Sequence, residues 1–328
     1  MREARIKILP DIGEAVYHCI SRAIANARLF DSAACDIFRR QLWVAAEFSG
    51  LQIITYAILS NHFHVTVRVP RKTPVSDQEL FRRYQLLHGK SKPRDQKTLS
   101  TIRAYLKAND ADAAKWRRQM LARMGDVSQF MKTWKQNFTL WFNATHRRIG
   151  TLWASRFTST LIQPDGFASE FVSAYVDLNA TRANIVRDPK DYRYCGYAEA
   201  VAGNSKARSG IMSLYGTLPW KDAHAQYRLT LFGIGSDARE GKASIPYEDF
   251  RRVIREKGQL PLSDVVLCRL PHFIHGGVLG SRAFVQEQLA AYEKRTRARP
   301  RTAPRPLPSW YGTDDLFTMR NVRQADAA

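Results

Sequence analysis

The hydrophobic pattern of the first 70 residues predicts strands and a helix in alternation. Residues 15–23 alternate between apolar and polar positions, as a half-buried strand does. Residues 34–50 carry apolar side chains at helical spacing and end in a glycine, a typical helix stop. Residues 51–59 and 62–69 are rich in β-forming residues and are joined by two polar residues, which predicts a β-hairpin.

The middle of the chain changes between helical and extended patterns. Residues 71–126 are charge-rich and indicate an inserted segment that is partly helical and partly mobile. Apolar positions over residues 127–142 define an amphipathic helix with a largely aromatic face. A basic turn followed by β-formers over residues 146–163 predicts a second hairpin. The Pro-Asp-Gly sequence that follows predicts the start of a helix that runs to about Val186.

The composition changes after residue 200, and this change sets the domain boundaries that we expect. Residues 203–210 are rich in small and charged residues and predict a linker. We therefore expect a first domain over residues 1–200, followed by a mainly helical region over residues 201–292. Residues 293–328 are basic and proline-rich, which predicts a disordered tail.

The strand predicted at 62–69 places two histidines on one face. Because side chains alternate along a strand, the apolar odd-numbered positions face the core, while His62, His64, Thr66 and Arg68 share the opposite face. We expect that face to meet water, a ligand or a metal ion, since imidazoles at i and i+2 can converge on one divalent cation. A solvated strand face with incidental histidines explains the same pattern.

Three enzyme classes use histidines in such a pattern. Histidine-triad hydrolases need a third alternate histidine, where this chain has Thr66. Two-histidine phosphoesterases need two copies of a His-hydrophobic-Thr-hydrophobic motif, and only the copy that begins at His64 is present. HUH nucleases need His-hydrophobic-His as metal ligands, together with a nucleophilic tyrosine on a helix.

The helix predicted over residues 167–186 carries a tyrosine in a suitable place. On a helical wheel, Tyr175 lies in the middle of the apolar arc, with Arg182 inside the arc and Asn179 near its edge. Polar side chains on a buried arc need partners. Either backbone groups satisfy them in an ordinary core, or the arc faces the histidines across a shared site.

Three blocks, in this order, resemble the single-tyrosine HUH transposases, and in particular the REP-associated tyrosine transposases. The blocks are YAILSNHFHVTVRV (56–69), GTLWASRF (150–157) and AYVDLNATRANIV (174–186). The resemblance covers roughly residues 12–200. It implies an α+β nuclease domain of the ferredoxin-like or RRM-like type, with helices packed on an antiparallel sheet. The chain departs from the family at Ala180, where many members have proline, and in the long insertion at 71–126.

The same resemblance implies an activity and the residues that perform it. Carried over to this sequence, His62 and His64 bind a magnesium or manganese ion, Asn179 adds its amide oxygen, and Tyr175 is the nucleophile. The implied reaction cleaves and rejoins single-stranded DNA through a 5′-phosphotyrosine. Two alternatives stay open: a catalytically idle, repressor-like DNA-binding protein, and a metal phosphoesterase without a covalent step.

The charge of the chain favours a polyanionic partner. Lys and Arg number 51 against 30 acidic residues, for a net charge of +21, and nucleic acid is the first candidate. Basic and aromatic residues interleave at Arg147, Arg148, Trp153 and Arg156, which suits single-stranded or hairpin DNA, although Trp153 suits a core equally well. Arg182 is a candidate phosphate ligand or a surface residue. The sequence leaves open whether the chain acts as a monomer or a homodimer.

Other features exclude several classes of protein. The chain has no apolar run of about 18 residues, so no membrane-spanning helix is predicted, and its first residues lack the apolar core of a signal peptide. The four cysteines are scattered, which argues against a zinc ribbon and a disulfide scaffold. We therefore expect a cytoplasmic, nucleoid-associated protein with reduced cysteines.

Overall fold

The computed structural model shows an α+β fold with helices on both faces of one sheet. It describes residues 5–89, 93–109, 111–236, 243–255, 278–296, 304–306 and 317–318. The strands are β1 Ala15–Arg22, β2 Gln52–Ile58, β3 His62–Val69, β4 Thr158–Ile162, β5 Val278–Gly280, β6 Arg305–Pro306 and β7 Phe317–Thr318. The helices are α1 Ser32–Ser49, α2 Asp77–His88, α3 Pro93–Ala108, α4 Ala111–Leu121, α5 Val127–Thr145, α6 Phe167–Asp177, α7 Asn179–Arg182, α8 Gly196–Val201, α9 Ser205–Met212, α10 Trp220–Gly235, α11 Tyr247–Arg255 and α12 Arg282–Thr296.

The first four strands form the centre of the domain. Their order in the sheet is β2-β3-β1-β4, and every neighbouring pair among them is antiparallel. With α1 between β1 and β2 and α5 between β3 and β4, this is the ferredoxin-like βαββαβ arrangement. The predicted α+β class is confirmed. The sheet is mixed rather than wholly antiparallel, because β5 adds to the outer side of β4 in parallel.

One face of the sheet packs against α1 and α5. Alternate residues of the strands, among them Tyr17, Phe63 and Val65, meet Phe38 of α1 and Trp134 of α5 in one buried cluster. The rings of Phe38 and Trp134 stack with their centroids 4.1 Å apart. The Trp134 indole N–H donates to the Phe38 carbonyl oxygen at 2.9 Å, so the two helices are joined by a hydrogen bond as well as by packing.

The opposite face of the sheet is covered by α6 and by helices from the C-terminal third. Val16, Ile54 and Ile162 from the strands lie in one buried cluster with Phe171 of α6 and Tyr227 of α10. The residues before and after position 200 therefore share a hydrophobic core. The site described below lies on this second face, between the sheet and α6.

The predicted linker at 203–210 is wrong, because most of that segment is helical. Helix α9 lies against β2 so closely that a Cβ added at Gly210 would come within 2.2 Å of the Ile53 carbonyl oxygen and 2.7 Å of the Ile54 carbonyl oxygen. Asn204 caps the helix by accepting the backbone N–H of Ala207 at 3.1 Å. Small residues at 203–210 thus serve close helix-to-strand packing.

Substituting Gly210 tests this contact. We expect Gly210→Ala to lower the free energy of unfolding by about 1–3 kcal/mol, because α9 and β2 must separate to admit one methyl group. Gly233→Ala in α10 is the matched control, since its added Cβ meets only Phe250, at 4.0 Å. Denaturant unfolding of both variants is the measurement. Equal stability of Gly210→Ala and the unchanged chain would contradict the packing of α9 on β2.

Two further predictions need correction. Only β4 forms in the segment predicted as a hairpin at 146–163, and it pairs with β1, because the residues before the turn belong to α5. In the tail predicted to be disordered, α12 extends to Thr296, and β6 and β7 pair with each other. The remaining residues of that tail lie outside the described part of the chain.

In the described residues, the insertion predicted at 71–126 contains the helices α2, α3 and α4, so it is partly helical, as expected. They pack beside α1, where Phe48 is buried with Leu80 of α2 and Met120 of α4. Arg82 of α2 pairs with Glu47 of α1 at 2.5 Å. The insertion therefore lies on the side of the domain that α1 covers.

Candidate active site

Strand pairing brings three histidines to the same face of the sheet. In the register of β1 and β3, Ile20 lies opposite His64, His18 lies opposite Thr66, and Arg22 lies opposite His62. Directly opposed residues of antiparallel strands point to the same side, so His18 joins His62 and His64 on the face that α6 covers. The ring centroids of His62 and His64, and those of His18 and His64, are both 5.2 Å apart.

This face does not meet bulk water along most of its length. His64 is 5% exposed and Thr66 is fully buried, because α6 lies over them, while His62 and Arg68 are partly exposed. Arg68 is an ion-pair partner of Glu14 and donates to the Ser213 carbonyl oxygen at 3.0 Å. The expectation of a solvated strand face is therefore wrong for His64 and Thr66, which α6 covers, whereas His62 and Arg68 reach the surface.

The hydrogen bond of His62 determines which of its nitrogens can bind a ligand. Its Nδ1 lies 2.6 Å from the amide oxygen of Asn61, which only accepts. Nδ1 therefore carries the hydrogen, and in the neutral ring Nε2 is the nitrogen with the lone pair. A metal-binding histidine commonly donates its other N–H to an oxygen in this way.

His64 is oriented by another histidine. Its Nδ1 lies 3.0 Å from Nε2 of His18, and the two rings are nearly parallel, with an interplanar angle of 13°. His18 is fully buried. Burial lowers the pKa of His18 to about 3 and holds the pKa of His64 well below its usual value. Both rings are therefore neutral at neutral pH, the state that metal binding requires.

His18 was not identified as a site residue from the sequence. In β1, His18 lies on the face opposite Tyr17 and Cys19, and the pairing of β1 with β3 does not follow from the sequence pattern. Only that register shows that His18 and His64 lie on one face and in contact.

Helix α6 places Tyr175 over the histidines. The ring of Tyr175 is 6.0 Å from the His64 ring and 6.3 Å from the His18 ring, both in edge-on arrangements, and the residue is 8% exposed. The guanidinium carbon of Arg182 lies 4.6 Å from the centre of the same ring. The arc faces the histidines, as one of the two expectations held. The amide of Asn179 is satisfied by backbone carbonyls, as the other expectation held.

Asn179 follows Tyr175 by one helical turn, at the start of α7. Its amide nitrogen donates to the carbonyl oxygens of Tyr175 and Val176 at 3.0 and 3.1 Å. The amide nitrogen is engaged with backbone carbonyls, so Oδ1 is the atom of the side chain that can accept or bind a cation. The residue is partly exposed, in contrast to the buried positions on either side of it.

The residues at this site suit a divalent cation. His62, His64 and Asn179 offer two imidazole nitrogens and one amide oxygen as candidate ligands. Within the described part of the chain, no group of three or more His, Cys, Asp or Glu side chains is arranged to hold a metal. A set of two imidazoles and one amide oxygen is neutral and leaves coordination positions for phosphate and water oxygens, which magnesium and manganese favour.

A buried carboxyl group ties α6 to the helices behind it. Asp177 accepts hydrogen bonds from the hydroxyls of Thr55 and Tyr227, at 2.7 and 2.5 Å, and from the backbone N–H of Tyr197 at 3.1 Å. Its full burial raises its pKa to about 6. Asp177 therefore joins α6 to β2, α8 and α10, and these contacts help to fix the helix that carries Tyr175.

The basic loop at 146–157 lies at one end of the site. It runs past the end of β1, where the backbone N–H of Ala154 donates to the Arg22 carbonyl oxygen at 3.0 Å. Arg22 is the residue opposite His62 in the sheet. Arg147, Arg148 and Arg156, the arginines predicted to contact DNA, are all exposed on this loop.

Trp153 is a core residue and does not present a surface for base stacking. It is 8% exposed and packs against Phe30 and Phe138. Its indole N–H donates to the Thr139 hydroxyl at 2.9 Å, and the Lys135 ammonium lies 4.7 Å from its ring. The aromatic spacing that suggested a DNA contact serves instead to hold the loop against α5.

The chain matches no known family and has a distant similarity to a solved structure. No family model and no curated protein matches the chain. Among solved structures, the chain is similar to one described as the REP-associated tyrosine transposase bound to a REP hairpin. That similarity has 12% sequence identity and a TM-score of 0.34, and it covers 62% of this chain and 85% of the other. A similarity this low carries no argument about function. In the described residues, no helix is long and apolar enough to cross a bilayer.

Proposed function

We propose that the chain is a metal-dependent enzyme that cleaves and rejoins single-stranded DNA, with Tyr175 as the nucleophile. The observation that carries this proposal is the position of Tyr175 on α6, with its ring 6.0 Å from that of His64 and with Asn179 one turn further along. The proposal assigns the tyrosine, two histidine nitrogens and the amide oxygen of Asn179 to one site. The histidine pattern and the tyrosine were each predicted from separate parts of the sequence.

The proposed step exchanges one phosphoester for another. The Tyr175 oxygen attacks the phosphorus, a bond from that oxygen to phosphorus forms, and the bond from phosphorus to the 3′ oxygen breaks. The phenol loses its proton and the departing strand gains one, which leaves a 3′-hydroxyl and a 5′-phosphotyrosine. Because the covalent product retains a phosphodiester, a 3′-hydroxyl can reverse the step and rejoin strands without a nucleotide cofactor.

The residues around Tyr175 have distinct parts in this step. A tyrosine phenol in water ionises only near pH ~10, so it is a weak nucleophile without assistance. A magnesium or manganese ion held by His62, His64 and Asn179 would polarise the scissile phosphate and stabilise its developing negative charge. Arg182 holds its guanidinium beside the Tyr175 ring, where it can bind a phosphate oxygen.

The charge distribution supports a nucleic acid substrate. The chain carries a net charge of +21, and the exposed arginines at 147, 148 and 156 lie at the end of the sheet where His62 is found. Exposed arginines in this position can hold the phosphates of a strand that enters the site. Tyr175 is only 8% exposed. A phosphate therefore reaches it more readily when the DNA strand is separated from its complement.

The substrate preference provides a direct test. We expect faster cleavage of single-stranded DNA, or of a hairpin with single-stranded flanks, than of a matched blunt duplex, because the phosphate must enter an enclosed site. Cleavage should be scored at or above physiological salt, since any polyanion binds so basic a chain at low salt. Equal or faster cleavage of the duplex would contradict the proposal and would indicate an ordinary metal nuclease.

The basic loop can be tested in the same assay. We expect Arg147→Ala combined with Arg148→Ala to weaken single-strand binding and to reduce the salt slope by about 2, roughly 1 for each phosphate that an arginine no longer holds. Lys115→Ala combined with Arg118→Ala removes the same charge from exposed positions on α4 and is the matched control. If both double variants lose affinity equally, the loop has no special role and only net charge matters.

A further inference from the structure

His18 and His64 form a buried imidazole pair between β1, β3 and α6. The two nitrogens that face each other, Nε2 of His18 and Nδ1 of His64, are 3.0 Å apart, and the residues are 0% and 5% exposed. The function proposed above assigns a role to His64 but none to His18. A buried polar side chain is costly to keep unless it has a partner or a task.

Only one proton arrangement in this pair leaves His64 able to bind a cation. If His18 donates from Nε2, the hydrogen of neutral His64 must sit on its own Nε2, and neither nitrogen of His64 keeps a free lone pair. If His64 donates from Nδ1, its Nε2 lone pair is free. The hydrogen of His18 is then on its Nδ1, a buried atom for which the described residues offer no hydrogen-bond partner.

We propose that His18 is a positioning residue of the metal site: its Nε2 accepts the Nδ1–H of His64 and holds that ring with Nε2 toward the metal. The inference rests on the proposed function, because it assigns a metal to His64. Asn61 has the same relation to His62, whose Nδ1 it binds at 2.6 Å. Each proposed metal-binding imidazole then donates its Nδ1–H to one neighbouring side chain. Hydrogen bonds of this kind orient the ligands in other metal sites.

A structural role for His18 makes a different prediction from a positioning role. If His18 only fills the core, replacing it by an apolar side chain of similar size removes a buried polar group and leaves metal binding unchanged. If His18 positions His64, the same replacement weakens metal binding while the stability of the fold is largely kept. Losing an outer partner typically costs about 10–100-fold in metal affinity.

The test is a Mn²⁺ titration of the full chain, with thermal unfolding measured on each variant. His18→Phe and His18→Met both remove the Nε2 acceptor, and their side chains differ in shape. If one variant does not fold, the other still tests the role of His18. His18→Gln restores an acceptor oxygen at the end of a flexible side chain. Thr66→Val is the control, since Thr66 is fully buried directly opposite His18 on the same face.

We expect His18→Phe and His18→Met to bind Mn²⁺ about 10–100-fold more weakly, with His18→Gln and Thr66→Val close to the unchanged chain. In the Mg²⁺-saturated chain, ¹⁵N spectra should show His64 protonated at Nδ1. Unaltered Mn²⁺ affinity in folded His18→Phe or His18→Met, or His64 protonated at Nε2, would overturn the role of His18 and leave the proposed function standing. Failure of the unchanged chain to bind Mn²⁺ would overturn both.

Discussion

Tyr175→Phe should abolish DNA cleavage, by at least roughly 10³-fold, while the chain folds and binds DNA as before. The substitution removes only the hydroxyl oxygen that would attack phosphorus. The ring stays, so its packing with His18 and His64 and the position of Arg182 beside it are retained. Because the change deletes the proposed nucleophile itself, its effect should exceed that of any neighbouring substitution.

The measurement is single-turnover cleavage of a labelled single-stranded oligonucleotide, with thermal unfolding and DNA affinity recorded for the same preparation. Tyr194→Phe is the matched control, because it removes a tyrosine hydroxyl that donates to the Ser32 carbonyl oxygen. Cleavage by Tyr175→Phe at a rate near that of Tyr194→Phe would mean that another group, or a water molecule, attacks the phosphate.

His62→Ala and His64→Ala should both remove metal-dependent cleavage, but they should differ in their effect on folding. His62 is partly exposed, so its truncation should cost less than about 1 kcal/mol of stability. His64 is 5% exposed and binds Nε2 of buried His18. Truncating His64 leaves that nitrogen without its partner, which should cost about 1–3 kcal/mol.

Cleavage at several Mg²⁺ or Mn²⁺ concentrations and denaturant unfolding together separate the two roles of these histidines. Thr66→Val again serves as a control, because it disturbs this face of β3 without removing an imidazole. Full activity of His62→Ala at ordinary metal concentration would show that His62 is no ligand. An equal loss of stability in both alanine variants would instead favour a structural role for the pair.

Local patterns in the sequence predicted the elements that carry the site. Alternation along β3 separates the histidines from the core-facing valines, and the apolar arc of α6 contains Tyr175 at its centre. Both patterns depend on neighbouring residues in the chain, so they can be recognised without any knowledge of the tertiary structure. For this reason the histidines lie on the predicted face of β3, and Tyr175 lies on the predicted face of α6.

The features that could not be predicted from the sequence all depend on contacts between distant parts of the chain. The sequence left open whether the face that contains His64 meets water, a ligand or a metal ion, and α6 covers His64 and Thr66 on it. His18 is brought to His64 only by the register of β1 with β3. Trp153 is held in the core by α5, although its spacing among arginines suggested an exposed ring.

Small residues gave a misleading signal in a similar way. The segment at 203–210 has the composition of a linker, yet Gly210 is where α9 touches the backbone of β2. Glycine is favoured in linkers because it adopts many backbone conformations. It is also favoured where a helix packs closely on a strand, because it has no side chain. Only the position of the neighbouring strand distinguishes a linker from a closely packed helix.

The central claim, a covalent bond between Tyr175 and DNA, is tested most directly by isolating that bond. A single-stranded oligonucleotide labelled at its 3′ end is incubated with the chain and Mg²⁺, denatured, and digested with trypsin. The peptide from 157 to 182 contains one tyrosine, Tyr175, so mass spectrometry can assign the linkage without ambiguity. We predict that the 3′ label stays on this peptide through a 5′-phosphotyrosine, and that the released strand ends in a 3′-hydroxyl. Cleavage with no label bound to protein, or with the label on another residue, would contradict the account.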